Sequence, residues 1–158
     1  NMTILKIITQ PNPILRKKST EINLKKINSR EFKALISSMV KTMADTDGAG
    51  LAAPQIGRNI ALAVINSKDG AFCLINPKII KKSFARELGQ EGCLSIPGVY
   101  GQVKRHKKIT LTYYDKLGKK IKLDAQGLMA RVIQHEVDHL DGILFIDKAT
   151  EIEEKNSK

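Results

Sequence analysis

The sequence contains no tryptophan, and aromatic residues make up only 4% of its 158 positions. Without aromatic platforms the bases of a single strand have nothing to stack on, so no specific nucleic-acid partner is expected. Two cysteines, Cys73 and Cys93, allow one disulfide at most and form no C-x-x-C pair. That excludes a disulfide-stapled scaffold and a zinc finger, and suits a reducing, cytoplasmic setting. No apolar run approaches the ~18 residues of a membrane span, and the segment Asn1 to Ile8 has neither a basic stretch nor a small-residue cleavage site. Neither a membrane partner nor export is therefore expected. Acidic residues are scarce as well: 16 Asp and Glu stand against 27 Lys and Arg, a net charge of +11.

That positive excess attracts anionic surfaces without selecting among them, which makes the ribosome surface a candidate partner. The lysines are spread in pairs such as Lys17 with Lys18 and Lys119 with Lys120, not gathered into one basic arm. Hydrophobic residues at 42% and charged residues at 27% are ordinary for a folded chain. One domain over residues 1–158 is expected, monomeric, with the polar stretch 150–158 as a fraying tail.

Phe32, Leu35, Ile36, Met39, Val40 and Met43 recur on one helical face, and Asn28 with Glu31 reads as a capping box. A helix from about Ser29 to Ala44 follows, ended by the turn-forming Asp45-Thr46-Asp47-Gly48-Ala49-Gly50. Ala61 to Asn66, Ala71 to Ile75 and Lys78 to Phe84 read as short antiparallel strands, the last two separated by Pro77. The alternation in Ile109 to Tyr114, the turn Asp115-Lys116-Leu117-Gly118 and Lys119 to Leu123 predict a hairpin. Asp124 can cap a second helix with Leu123 and Leu128 as its hydrophobic staple, and Gly142 can close it. Strands grouped between two helices argue for an α+β fold: mostly antiparallel β-sheets packed around a central metal-binding helix, with an N-terminal helix.

The second helix carries Gln134-His135-Glu136-Val137-Asp138-His139. Histidines four apart lie on one helical face and can share a metal, with Glu136 beside them. The bland alternative is a charged face with hydrogen-bonded histidines, but two of only three histidines fall in this motif. A catalytic zinc-type site needs a third protein ligand. Phe145 stands where one zinc-peptidase pattern requires histidine, and Glu151, Glu153 and Glu154 lie in the polar tail. Upstream, Glu91-Gly92-Cys93-Leu94-Ser95-Ile96-Pro97 presents Cys93 between glycine and proline, where a thiolate can face a metal. Cys93 is the best third ligand, against the commoner fate of a cysteine as a small buried hydrophobe, which suits Cys73.

Three segments, Gly48-Ala49-Gly50-Leu51-Ala52-Ala53-Pro54-Gln55, Glu91-Gly92-Cys93-Leu94-Ser95 and Gln134-His135-Glu136-Val137-Asp138-His139, resemble in order the signature motifs of peptide deformylases. The similarity extends over roughly Ile4 to Lys148. It implies a hydrolase that removes the formyl group from N-formylmethionyl nascent peptides, with Cys93, His135 and His139 holding one divalent metal. Iron(II) is the working metal so implied, with zinc, nickel or cobalt as chemical alternatives. The resemblance makes Glu136 the general base and acid for a metal-bound hydroxide, and the Leu94 amide and Gln55 side chain the donors to the developing oxyanion. Glu91 and Arg105 match an ion pair bracing the cysteine segment. Gly48, Ala49, Gly50, Gly92, Leu128 and Val132 match substrate-binding positions, and Arg131 aligns with the same pocket through its aliphatic stem. Tyr100 stands where several family members have arginine.

Overall fold

The computed structural model describes residues 3–155. Helix α1, Arg30–Asp45, is followed by strands β1 (Gly50–Ala52), β2 (Leu62–Ile65), β3 (Phe72–Lys82), β4 (Arg86–Cys93), β5 (Ile96–His106), β6 (Lys108–Tyr114) and β7 (Lys120–Gln126). Helix α2, Gly127–Leu140, and strand β8, Thr150–Glu154, complete the order. All strand pairs between these elements are antiparallel, in a five-stranded sheet β1-β2-β3-β6-β7 and a three-stranded sheet β4-β5-β8. The α+β architecture with a helix at its centre agrees with the reading of the sequence.

Every residue of β2 is buried because the larger sheet is covered on both faces. Leu62 and Val64 meet Leu35, Met39 and Met43 of α1 in one cluster. Ile65 and, from β3, Leu74 point the other way, where Ala130 and Ile133 of α2 pack with Leu111. Leu15, Ile96, Val103, Leu144 and Phe145 form a third cluster against the smaller sheet. Helix α2 thus lies between the sheets, which places its polar side chains at their junction.

Several local expectations are corrected. The cap of α1 is Ser29, whose hydroxyl accepts from the Phe32 amide at 3.1 Å, so Asn28 is one residue too early. At the other end Asp47 takes the left-handed conformation (φ 55°), and the Gly48 amide donates to the Met43 carbonyl at 2.9 Å. Neither Gly48 nor Gly50 is needed for that turn. Pro77 does not divide two strands. It lies inside β3 at a register shift between Ile75 and Lys78, the kind of position where a residue without an N–H is tolerated. Asn76 beside it (φ 50°) is held by exchanging two hydrogen bonds with the backbone of Ile22, at 2.8 and 2.9 Å.

Asp124 does not cap α2, and the Leu123–Leu128 staple does not form as a cap. Strand β7 runs on to Gln126, Asp124 faces its cross-strand neighbour Thr110 and accepts from its hydroxyl at 2.6 Å, and Gly127 (φ 62°) turns directly into the helix. The far end of α2 closes as expected on Gly142 (φ 73°), with Ile143 donating to the Asp138 carbonyl at 2.9 Å. The stretch expected to fray from residue 150 instead supplies β8, paired with β5 through Val99, Tyr100 and Gln102. Residues 156–158 of that stretch lie outside the described residues. The β4–β5 hairpin was not anticipated, because Arg86-Glu87-Leu88-Gly89-Gln90-Glu91-Gly92-Cys93 has two glycines and no alternation of apolar residues.

Candidate active site

Two elements carry the central side chains. Helical spacing stacks His135 over His139 on one face of α2, with ring centroids 4.9 Å apart. Cys93 is the last residue of β4, joined to Ile96 of β5 by the two-residue turn Leu94-Ser95, so the thiol sits at a tight hairpin end. The hairpin brings the thiol onto the helix: one ligand atom each from Cys93, His135 and His139 lie within 4.8 Å of one another. Cys93 Sγ and His139 Nε2 are 3.3 Å apart. Ligands of one tetrahedral ion with bonds of about 2.0–2.3 Å lie roughly 3.5 Å from each other, so this donor set fits a single divalent cation.

Glu91, two residues before Cys93, is buried and receives four hydrogen bonds. Oε1 accepts from Arg105 Nη2 and His135 Nδ1, each at 2.9 Å, and Oε2 from Arg105 Nε at 2.9 Å and Arg131 Nη1 at 2.7 Å. Burial alone would raise its pKa, but the hydrogen bonds from Arg105 and His135 prevail and bring it down to about 2. Arg105 also donates to Asp138 at 2.5 Å, and Lys148 reaches the same carboxylate at 2.9 Å. With Nδ1 held by Glu91, His135 turns Nε2 toward the trio. Burial pushes this histidine down, yet its bonds to Cys93 and Glu91 carry it up to about 10. His139 is driven the other way by burial and by its neighbour His135.

Glu136 is 3% exposed, and its Oε1 has no hydrogen-bond partner among the described residues. Burial raises its carboxyl to about 7, partly offset by His135. The space it occupies exists because β1 begins with glycine: a Cβ on Gly50 would lie 2.6 Å from Glu136 Oε2. Gln55, 2% exposed, is no surface turn residue. Its Oε1 accepts from the Ala52 amide at 3.0 Å, which aims Nε2 at Ser95 Oγ (3.2 Å) and Cys93 Sγ (3.4 Å).

Gln55, Glu91, Cys93, His135 and Glu136 line a cavity of about 550 Å³. Gly48, Ala49, Gly50, Gly92, Leu94 and Val132 border it too, while Leu128, 74% exposed, stands at its rim. Tyr100 borders the cavity as well, packed so closely on Gly92 that a Cβ there would meet its ring at 2.8 Å, and Lys155 sits 5.1 Å from the ring centroid. Arg131 also lines the cavity, and its guanidinium turns toward Glu91. Asp138 and Ser95 were not singled out at all. Arg131 stands four residues before His135 and Asp138 three after it, so the helical spacing that paired the histidines could have drawn attention to both.

A buried carboxyl without a partner, set in an open cavity beside one thiol and two imidazoles, is the equipment of a hydrolase that draws on a metal. Comparison with known proteins narrows the class. The family model described as polypeptide deformylase matches residues 4–155, and the chain belongs to that family. It is 45% identical over 150 residues to a peptide deformylase of Syntrophomonas wolfei, covering 95% of this chain and 96% of the relative. Among solved structures, peptide deformylase from Thermotoga maritima superposes with a TM-score of 0.89 at 35% identity, over 94% of this chain and 99% of that one. A class I type b peptide deformylase from Acinetobacter baumannii bound to Met-Ala-Ser gives 0.90 at 32% identity, with coverage of 94% and 99%.

Proposed function

We propose that the chain hydrolyses the formyl amide of N-formylmethionyl nascent peptides, releasing formate, with Glu136 moving the protons. The observation that carries this reading is the Glu136 carboxyl, buried, unpartnered at Oε1 and poised at about 7 beside the Cys93-His135-His139 trio. A carboxyl near neutrality can take a proton from water and return it to the leaving amine, so one residue serves both transfers. Cys93, His135 and His139 hold the metal, iron(II) as the working ion with zinc, nickel or cobalt able to replace it. When bound it supplies a Lewis acid that lowers the pKa of water toward about 7.

Gln55 Nε2, whose direction is set by the Ala52 amide, and the Leu94 amide in the turn after Cys93 are the donors to the oxyanion. The methionine side chain is received by the cavity that Leu128 and Val132 border. The peptide extends along β1, the edge strand of the larger sheet, where an added strand finds free backbone groups; the Acinetobacter relative likewise binds a peptide, Met-Ala-Ser. Formate release from formyl-Met-Ala-Ser by the iron(II)-loaded protein, beside Glu136→Gln, tests the assignment. A fall of about 10²–10⁴-fold in kcat is expected for the variant. No formate from the loaded wild type, or an undiminished rate in Glu136→Gln, refutes it.

A further inference from the structure

We infer that Arg131 is a positioning residue for the metal site, holding Glu91 and, through Glu91, the ring of His135. The inference rests on the reading that Cys93, His135 and His139 share a cation. Arg131 lies one helical turn before His135 on α2, its side chain 13% exposed. Its guanidinium donates to Glu91 Oε2 at 2.7 Å, to the Val103 carbonyl at 2.9 Å and to the Glu87 carbonyl at 2.8 Å, fastening the helix to β4 and β5 at the level of the site. Gly89 makes this possible: a Cβ there would stand 2.7 Å from Arg131 Cζ, so only glycine lets the guanidinium lie against the strand.

Charge explains why a second arginine is needed. Arg105 serves two carboxylates, Glu91 and Asp138, and Lys148 assists Asp138 alone. Arg131 is the other full cation paired with Glu91 among the described residues. A buried carboxylate left short of counter-charge is strongly disfavoured. Glu91 accepts from Nδ1 of His135, which fixes the ring's orientation and leaves Nε2 free to bind a cation. Without Arg131, Oε2 keeps one bond, Glu91 is freer to tilt, and His135 loses a fixed orientation. A residue that merely walled the cavity would leave metal affinity untouched.

The test measures cobalt(II) dissociation constants by chelator competition, with the cobalt absorption bands as a second readout, for the full chain and for Arg131→Met, Arg131→Lys, Glu91→Gln and the double variant Glu91→Gln/Arg131→Met. Arg131→Met should weaken cobalt binding by about 10–100-fold, with Arg131→Lys intermediate. Acting through Glu91, the loss should not add to that of Glu91→Gln in the double variant. Equal affinity in wild type and Arg131→Met, or losses that add, overturns the inference alone. No cobalt bound by the wild type removes the metal reading and this inference with it. Should Arg131→Met fail to fold, an unchanged affinity in Arg131→Lys, which keeps the charge but loses the forked donors, overturns the inference.

Discussion

The two glutamates of the site share a burial class and have opposite electrostatics. Glu91, gripped by two arginines and His135, is held near 2, whereas Glu136, bonded to neither arginine, is lifted by burial to about 7. Removing the charge of Glu91 leaves Arg105 and Arg131 short of a partner in the interior, so Glu91→Gln should cost about 3–5 kcal/mol in chemical denaturation at neutral pH. Because the folded value of Glu91 lies below its ordinary 4.5, its contribution is complete above that value and is lost as pH falls from 4.5 toward 2. Acid unfolding followed by circular dichroism should therefore show a steeper loss of stability over that window in the wild type than in Glu91→Gln. Gly50→Ala tests the space around the other glutamate. With 2.6 Å between the new Cβ and Oε2, the carboxyl must shift, and kcat for deformylation should fall while the protein remains folded.

Among the elements, α1 contributes packing and α2 contributes chemistry. Ser29 satisfies the Phe32 amide at the start of α1, and Ser29→Ala should lower stability by about 1 kcal/mol without altering kcat. Met39, fully buried midway along the helix against the larger sheet, is a stronger support: Met39→Ala should cost about 2–5 kcal/mol by urea unfolding. Helix α1 was legible because its apolar residues follow one period and its end lies in a polar turn. The start of α2 was misread because Asp124 satisfies the local rule for a cap, while the cross-strand bond to Thr110 that claims it belongs to the sheet. The β4–β5 hairpin was illegible for a related reason. Its glycines serve close approaches, Gly89 to Arg131 and Gly92 to Tyr100, which weaken the local strand signal while making the tertiary contacts possible.

At the scale of the whole molecule, the trio joins a helix to the end of a hairpin 42 residues upstream (135 minus 93), so a cation held there would favour the folded chain over the unfolded one. Metal present at a hundred times its dissociation constant should add about 2.7 kcal/mol, and a chelator should lower Tm accordingly in a thermal melt. Among the described residues no helix is long and apolar enough to cross a membrane. By itself the sequence determined the residue types of the site, because two histidines and a glutamate at helical spacing and a cysteine between glycine and proline express their chemistry over a few positions. It determined the α+β class as well, through the grouping of short strands between two periodic segments. Only the tertiary structure decided that Glu136 is isolated from any hydrogen-bond partner at Oε1, that Gln55 faces inward, that the stretch after residue 150 pairs as a strand, and that Arg131 turns toward Glu91. Each of these depends on burial and on partners far away in the chain, and neither quantity is written in the spacing of neighbouring residues.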